Sequence, residues 1–381
     1  MTTKIMIVDD SSLYQQLVKN VLRSLEDVEI VGQAKTGREA LAKIPDLQPD
    51  LLTLDVQMPD MNGLELLKEI RRRRMPVKAI MLSSLTAQGT QVTTDALLAG
   101  AFDFIHKPNS SDATASRQEL HNLLNEKIVA FQQSRKTSMP ARRSNTPVAT
   151  WDKAKASNVD VPQTLESLET NAGSGAITSS VEAAQQPNRI DAVVIGTSTG
   201  GPMALRELIP KLPSDLGVPV FVVQHMPPKY TQSLALRLSE ASTLPVLEAV
   251  DGMRVEPNQV YIAPGGLHMG IETVMGKPVI RTSNEAHEHN CRPAVDYTLR
   301  SACNFYRGNL LGVILTGMGR DGTAGCRNVK ESGGTVFAQH PEGCTVYGMP
   351  KVIVEEQLAD RVIPLEKMAS WIIRFVEKSR C

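Results

Sequence analysis

The chain has 381 residues, of which 41% are hydrophobic and 22% are charged, the balance of an ordinary globular protein. Its 41 basic residues equal its 41 acidic residues in number. No overall charge therefore attracts nucleic acid or an anionic lipid surface, and we expect no nucleic-acid partner. This length predicts two or three domains, because a single hydrophobic core rarely grows beyond about 250 residues.

The sequence does not predict secretion or membrane insertion. The apolar run Ile5–Val8 ends at two aspartates, which makes it too short for the core of a signal peptide. No other stretch approaches the roughly 18 apolar residues of a spanning helix. We therefore expect a cytoplasmic protein without direct membrane insertion. The five cysteines are odd in number and include no C-x-x-C pair, which argues against a disulfide framework and a structural zinc site.

Residues 1–131 predict a first α/β domain. Short apolar segments alternate with segments of helical spacing, such as the one through Leu13, Leu17 and Val21. The predicted strands are Lys4–Val8, Glu29–Gly32, Leu51–Leu54, Val77–Leu82 and Phe102–Ile105. Five β-α units of this kind predict a doubly wound parallel sheet with helices on both faces.

Residues 132–189 predict a long flexible linker. The stretch from Arg135 to Asn188 is rich in Ser, Thr, Ala, Asn, Gln and Pro and contains one aromatic residue, Trp151. Such a composition buries too little apolar surface to offset the entropy lost on ordering the backbone.

Residues 190–381 predict a second doubly wound α/β domain, because alternation of strands and helices resumes at Ile190. The predicted strands are Ala192–Gly196, Pro219–Gln224, Gln259–Ala263, Leu310–Leu315 and Thr335–Ala338. A C-terminal helix is predicted around residues 371–376.

Acidic residues follow two strands of the first domain. Asp9 and Asp10 follow the first strand and Asp55 follows the third. The carboxyl ends of parallel strands meet at one edge, so these carboxylates should converge and suit Mg²⁺. Ser83 and Lys107 end the fourth and fifth strands. A carboxylate nucleophile, a metal, a cation and a hydroxyl could together hold a phosphoryl group.

The first domain resembles the receiver domain of response regulators. The motifs that carry the resemblance are IVDDSS (7–12), LDVQMPDMNGLELL (54–67), MLSS (81–84) and HKP (106–108). The resemblance implies that Asp55 accepts a phosphoryl group from a histidine kinase. It also implies that Ser83 and Lys107 sense the phosphate and that Phe104 is an aromatic switch. The implied Mg²⁺ ligands are Asp9, Asp10, Asp55 and the backbone carbonyl of Gln57.

The first strand of the second domain leads into Gly196-Thr197-Ser198-Thr199-Gly200-Gly201. A G-x-S-x-G sequence between a strand and a helix is typical of a nucleophile elbow. The same residues nearly match the dinucleotide-binding pattern G-x-G-x-x-G, although Ser198 replaces the middle glycine. This loop by itself leaves a hydrolase and a nucleotide-binding domain as open alternatives.

Two further strand ends favour the hydrolase. His225 directly follows the apolar strand ending at Gln224, with His268 close behind it as a candidate base, and Asp321 lies in the loop after Leu310–Leu315. Serine, histidine and aspartate are thus expected at one edge of the sheet. A serine nucleophile needs a base to take its proton, and the base needs a carboxylate to orient it.

The second domain resembles the catalytic domain of the chemotaxis protein-glutamate methylesterases, the CheB family. The matching motifs are IGTSTGGP (195–202), VQHMPP (223–228), YIAPGGLHM (261–269), RPAVD (292–296), GVILTGMGRDG (312–322) and GMP (348–350). The resemblance implies that Ser198 is the nucleophile, His225 the general base and Asp321 its orienting partner. It further implies an oxyanion site at the Met318 N–H with a contribution from Thr199. Thr197 and Cys291 depart from residues usual in the family.

Together the two halves predict a phosphorylation-activated serine hydrolase. By the resemblance, it demethylates glutamyl methyl esters on chemoreceptors and deamidates receptor glutamines, without a cofactor for the esterase step. Its expected partners are methyl-accepting chemoreceptors and a chemotaxis histidine kinase. We also expect the receiver to pack over the catalytic cleft. The alternative is a response regulator whose output domain binds a nucleotide or a partner without catalysis.

Overall fold

The structure is a computed structural model that describes residues 2–84, 86–108, 112–138 and 189–378. Most of the predicted linker, residues 139–188, lies outside the described residues. Among the described residues, no helix combines the length and apolar character needed to cross a membrane.

The first domain contains a five-stranded parallel sheet in the order β2-β1-β3-β4-β5. Its strands are β1 Thr3–Val8, β2 Val28–Ala34, β3 Leu51–Asp55, β4 Lys78–Ser83 and β5 Asp103–His106. All five predicted strands are confirmed, with ends displaced by at most two residues. The parallel sheet forms because β1, β3 and β4 are almost entirely buried apolar runs, which need a layer of helices on each face.

The helices of this domain are α1 Ser12–Leu22, α2 Gly37–Leu47, α3 Gly63–Arg72, α4 Ala87–Leu98 and α5 Ala113–Ser138. Each of the first four helices follows a polar residue whose side chain accepts a hydrogen bond from a backbone N–H of the first turn. Asn62 and Glu65, for example, form a capping box that accounts for two otherwise unpaired N–H groups at the start of α3.

Helix α5 continues past the predicted end of the domain at residue 131. The first seven residues of the predicted linker, 132–138, are helical. Phe131 is buried in the receiver core, and Arg135 forms an ion pair with Asp50 at 2.8 Å. These contacts extend the helix where composition alone predicted none.

The second domain contains a seven-stranded parallel sheet in the order β14-β13-β12-β6-β7-β9-β8. Its strands are β6 Ala192–Thr197, β7 Val220–Gln224, β8 Val246–Glu248, β9 Val260–Ile262, β12 Leu310–Ile314, β13 Thr335–Gln339 and β14 Arg361–Ile363. Its helices are α6 Gly201–Leu208, α7 Tyr230–Ala241, α8 Val295–Tyr306, α9 Thr323–Glu331, α10 Met349–Glu355 and α11 Leu365–Lys378. The five predicted strands and the C-terminal helix are confirmed, and both domains have the predicted parallel α/β class.

Four strands of this domain were not predicted from the sequence. Strands β8 and β14 have three residues each and lie at the two edges of the sheet. An antiparallel hairpin, β10 His268–Val274 and β11 Lys277–Ser283, stands apart from it. Edge strands and an isolated hairpin need few apolar residues, so they lack the continuous apolar runs by which the other strands were found.

Strand β6 occupies the position that determines where a site can form. It lies between β7, the next strand in sequence, and β12, which comes much later in the chain. The chain therefore adds the strands that follow β6 on one side of it and the later strands, beginning with β12, on the opposite side. In open parallel sheets, the crevice at such a reversal, beyond the carboxyl ends of the strands, is the usual binding site.

Candidate active site and phosphorylation site

The predicted acidic pocket is present at the carboxyl edge of the first sheet. Asp9 and Asp55 are buried, and the Lys107 ammonium lies between them, 2.8 Å from Asp9 Oδ2 and 2.9 Å from Asp55 Oδ2. Asp10 is exposed beside them. The structure thus brings together four of the side chains that the sequence predicted.

The donors in this pocket fit a hard divalent cation. Carboxylate oxygens of Asp9, Asp10 and Asp55 lie within 4.8 Å of one another. Burial raises the pKa of Asp55 to about 6; the Lys107 charge opposes this rise and Asp9 adds to it. A cation would relieve that crowding of negative charge, and carboxylates are the ligands that Mg²⁺ prefers. Gln57 lies in the same loop, with its N–H 3.5 Å from Asp55 Oδ1.

Ser83, the predicted phosphate-sensing hydroxyl, is hydrogen-bonded away from the acidic pocket. Its Oγ accepts a hydrogen bond from Thr93 Oγ1 at 2.7 Å and contacts the Gly89 carbonyl at 3.3 Å, both in α4. It also accepts a bond from the Tyr230 hydroxyl of the second domain at 3.3 Å. The hydroxyl must therefore change partners before it can reach a group on Asp55.

The three predicted catalytic side chains follow adjacent strands of the second sheet. Ser198 comes directly after β6 and His225 directly after β7, and the last paired residues of these strands are Thr197 and Gln224. Asp321 lies in the loop after β12, on the other side of β6. The fold therefore places all three at the crevice described above.

His225 and Asp321 form a buried pair. His225 Nε2 lies 2.7 Å from Asp321 Oδ2, and their side chains are 11% and 2% exposed. Burial would lower the pKa of His225, but the hydrogen bonds and charges of Asp321 and Cys291 together outweigh burial and raise that pKa. For Asp321, burial by itself would raise the pKa. Hydrogen bonds from His225 and from backbone N–H groups instead hold the pKa of Asp321 below its ordinary value. This bond directs the other ring nitrogen, Nδ1, toward the crevice.

Among the described contacts, the Ser198 hydroxyl makes no hydrogen bond to His225. The group at His225 Nδ1 is the thiol of Cys291, with sulfur 3.5 Å from the nitrogen. Ser198 is nevertheless held beside the base, because its N–H donates to the Thr316 carbonyl at 3.0 Å and its carbonyl accepts from Gln224 Nε2 at 3.0 Å. Catalytic hydrogen bonds often form only when substrate is bound, so the missing bond does not exclude a triad.

The loop after β12 approaches the nucleophile closely at Gly317. A Cβ atom on Gly317 would lie 2.8 Å from Ser198 Cβ, so only glycine permits this contact. The contact places the Met318 backbone, the predicted oxyanion donor, next to the nucleophile loop. The other predicted contributor, Thr199, is buried, and its hydroxyl donates to Asp103 Oδ2 of the first domain at 2.5 Å.

The α4–β5–α5 face of the first domain contacts the second domain around this site. Besides the bond between Asp103 and Thr199, Phe104 packs against the Tyr230 ring, with centroids 4.5 Å apart. The apolar cluster that contains Phe102 and Phe131 of the first domain also includes Val346 of the second domain, and Met318 packs against this shared cluster. Polar contacts extend the interface: Arg237 pairs with Asp95 at 2.7 Å, and Arg206 donates to the Leu98 carbonyl at 2.5 Å. The first domain thus contacts Thr199, the residue after the nucleophile, and shares an apolar cluster with the predicted oxyanion donor Met318.

Several residues of the site were not found by sequence reasoning. Cys291 was noted only as a departure from the family, and Gln224 and Gly317 were not assigned any role. Asp103 and Tyr230 belong to the domain interface, which no local pattern predicts. The sequence did hold a partial signal for Cys291, Gln224 and Gly317, because these three lie within or beside motifs that carry the family resemblance.

These features define a two-domain α/β protein in which a receiver with an aspartate pocket contacts a domain with a Ser-His-Asp site. Comparison with known families agrees. The profile described as "CheB methylesterase" matches residues 193–372, and the one described as "Response regulator receiver domain" matches residues 5–119.

Curated relatives extend over the whole chain. A protein of Thermotoga maritima named protein-glutamate methylesterase/protein-glutamine glutaminase is 41% identical over 98% of this chain and 98% of its own. A protein of the same name from Desulfotalea psychrophila is 38% identical over 98% of each chain. The crystal structure of the Thermotoga maritima CheB methylesterase catalytic domain is 49% identical over 49% of this chain and 99% of that domain, with a TM-score of 0.49. The chain belongs to the CheB methylesterase family, with a receiver domain ahead of the catalytic domain.

Proposed function

We propose that this chain removes methyl groups from glutamyl methyl esters on chemoreceptors and that phosphorylation of its receiver activates it. The observation that carries the proposal is the buried His225–Asp321 pair at the crevice of the second sheet, beside Ser198. In this pair, His225 Nε2 lies 2.7 Å from Asp321 Oδ2. A buried imidazole that a carboxylate holds at one nitrogen, with a second nitrogen able to accept a proton, is the base that a serine nucleophile requires.

In the proposed reaction, Ser198 Oγ attacks the ester carbonyl while His225 Nδ1 accepts the hydroxyl proton. The tetrahedral intermediate expels methoxide, which takes that proton and leaves as methanol. Water then attacks the acyl-enzyme with help from the same base, and the products are a free glutamate and regenerated Ser198. The Met318 N–H, with a contribution from Thr199, stabilises the oxyanion, a role that contributes about 3 kcal/mol in comparable enzymes. A glutamine side chain would follow the same path and release ammonia.

The receiver, in this proposal, inhibits the hydrolase until it is phosphorylated. Asp103 binds the Thr199 hydroxyl, and Met318 packs against the apolar cluster that the two domains share, so the interface reaches both groups assigned to the oxyanion. A receptor helix cannot occupy the same surface. Phosphorylation of Asp55 by a histidine kinase would draw Ser83 toward the phosphoryl group and away from Tyr230, which weakens this interface.

The acidic pocket would hold the Mg²⁺ that phosphoryl transfer to receivers generally requires. Asp9, Asp10, Asp55 and the Gln57 carbonyl would be its ligands, and Lys107 would pair with the phosphoryl oxygens. A bound divalent cation would supply charge neutralisation at Asp55.

The rival function, nucleotide binding without catalysis, has no support in this site. It leaves the His225–Asp321 pair without a role, and the curated relatives carry the name of an enzyme. A fluorophosphonate probe separates the two functions, since it labels an activated serine and leaves a phosphate-binding loop unmodified.

The test of the proposed function is receptor demethylation by the purified full chain. Receptors carrying radiolabelled methyl esters should release methanol, faster with Mg²⁺ and a small-molecule phosphodonor than without. The Ser198→Ala protein is the control. Absence of methanol release with the phosphodonor, or release undiminished in Ser198→Ala, would overturn the proposal.

A further inference from the structure

Two helices beside the active site begin without a capping side chain of their own. The residues that precede α8 and α9 are Ala294 and Gly322, and neither side chain accepts a hydrogen bond from its helix. The N–H groups of a first helical turn have no partner within the helix, so they need acceptors from elsewhere.

The start of each helix is capped by an aspartate that lies at, or just before, the start of the other helix. Asp321 precedes α9, and its carboxylate accepts the N–H groups of Val295 and Asp296 in the first turn of α8, at 2.7 and 2.9 Å. Asp296 belongs to α8, and its Oδ1 accepts the N–H of Gly325 in the first turn of α9 at 2.6 Å. The two helix starts are therefore joined by reciprocal capping.

The same bonds hold the proposed orienting carboxylate. Asp321 Oδ2 also bonds His225, and Asp321 Oδ1 accepts the Gly322 N–H at 2.9 Å. Asp296 Oδ2 lies 2.9 Å from His289 Nε2. All four carboxylate oxygens thus have a donor within the chain, although both aspartates are only 2% exposed. Burial raises the pKa of Asp296, and the nearby charge of Asp321 raises it further, so keeping two carboxylates here is costly.

The loop that carries Asp321 has little rigidity of its own. Gly319 and Gly322 both adopt positive φ, 91° and 95°, in a stretch where glycine also occupies position 317. Such a loop depends on outside contacts to hold one conformation. The hydrogen bond from the Gly325 N–H to Asp296 fixes the first turn of α9 against the start of α8, and Gly325 lies four residues beyond Asp321.

We propose that Asp296 is a positioning residue for the hydrolase reaction: by capping α9 it holds the Asp321 carboxylate at the distance His225 requires. The inference rests on the proposed triad. Asp296 contacts no reacting atom and acts through Asp321. A displacement of about 1 Å in a group of this kind can lower the rate roughly 100-fold.

The test compares Asp296→Ala with Asp296→Asn in the full chain, in the presence of Mg²⁺ and phosphodonor. We expect Asp296→Ala to lower kcat about 10- to 100-fold and to leave KM within about twofold. Asparagine keeps an oxygen for the Gly325 N–H, so Asp296→Asn should restore kcat to within about threefold of the native value. The matched control is Asp360→Ala, which removes a carboxylate that accepts the Val336 N–H and pairs with Lys330 at the far end of α9. It should affect stability and not kcat.

A second measurement isolates the route through Asp321. In an Asp321→Asn background, Asp296→Ala should cost less than about threefold in kcat, because the group it positions is already lost. An equal loss in both backgrounds, or a kcat for Asp296→Ala within threefold of native, would overturn the inference. If circular dichroism shows that Asp296→Ala is unfolded, Asp296→Ser, whose side chain is one bond shorter than that of aspartate, takes its place. Failure of the proposed function is distinct, since it would appear as a native protein that the serine probe does not label.

Discussion

The hydroxyl of Tyr230 in the catalytic domain donates a hydrogen bond to the Oγ of Ser83 in the receiver, over 3.3 Å. Tyr230 begins α7, five residues after His225, and Ser83 ends β4 at the edge that carries the acidic pocket. The proposed phosphate-sensing hydroxyl is therefore bonded directly to the helix that follows the proposed catalytic base.

Replacing Tyr230 by Phe should raise the esterase rate of the unphosphorylated chain. The change removes the bond to Ser83 and keeps the ring that packs against Phe104. A hydrogen bond between neutral groups contributes about 0.5–1.5 kcal/mol, so the closed state should lose stability by roughly that amount. We expect receptor demethylation without phosphodonor to rise about two- to tenfold. A rate equal to or below that of the native chain would mean that this bond does not hold the receiver on the site.

Replacing Asp55 by Asn should abolish stimulation by a phosphodonor. The amide cannot form an acyl phosphate, and it removes one anionic ligand from the proposed Mg²⁺ site. The measurement is the ratio of demethylation rates with and without phosphodonor at fixed Mg²⁺, which we expect to be about one. The control is Asp46→Asn, an exposed carboxylate of α2 outside the pocket, which should remain activated. Activation of the Asp55→Asn protein would show that the pocket has been assigned wrongly.

Ser198→Ala and His225→Ala should each be nearly inactive, and the double substitution should be hardly worse than either. The two side chains act as one unit, since the serine attacks only when the histidine takes its proton. Rates of receptor demethylation for the three proteins check this. Losses that simply multiply in the double variant would contradict a shared proton transfer.

The pH dependence of kcat/KM should reflect the raised pKa of His225. The base must be neutral to accept a proton, so the rate should rise with pH through a pKa above the usual 6.5 or so of histidine. Asp321 and Cys291 both raise this pKa, and the hydrogen bond with Asp321 is the largest of the raising contributions. Asp321→Asn removes the negative charge and should move the rising limb to lower pH, with a reduced plateau. A limb that stays in place after this substitution would show that Asp321 does not set the ionisation of the base.

Replacing Gly317 by Ala should damage catalysis more than stability. The new methyl group would press on Ser198 Cβ, 2.8 Å away, and on the Met349 sulfur. Methionine is unbranched and can adapt its rotamer even in a core, as for the buried Met349, whereas the nucleophile loop is bound to Thr316 and Gln224. We expect slower labelling of Ser198 by a fluorophosphonate, by about tenfold or more, with a thermal midpoint lowered by only a few degrees. Unchanged labelling would mean that the Gly317 contact is unimportant for the position of Ser198.

Much of this architecture could be predicted because its signals are local. The strands at the centre of both sheets are continuous apolar runs, so β1, β3, β6, β7 and β12 were found close to their true ends. Asp55 ends such a strand, and Ser198 and His225 come directly after such strands. Because parallel strands share one direction, these positions place each side chain at a sheet edge. The role of each residue stays a prediction, but their placement together follows from strand order alone.

Tertiary structure alone decided the contacts between residues far apart in the chain. The reciprocal bonds between Asp296 and Asp321, and the pairing of Cys291 with His225, arise where separate helices and loops meet. The bonds of Tyr230 with Ser83 and of Thr199 with Asp103 cross between domains, over 147 and 96 positions of sequence. No spacing rule links such pairs. Hydrophobic periodicity specifies which face of each element is buried, whereas the partner of a polar side chain depends on where the packed elements place the nearest donor or acceptor.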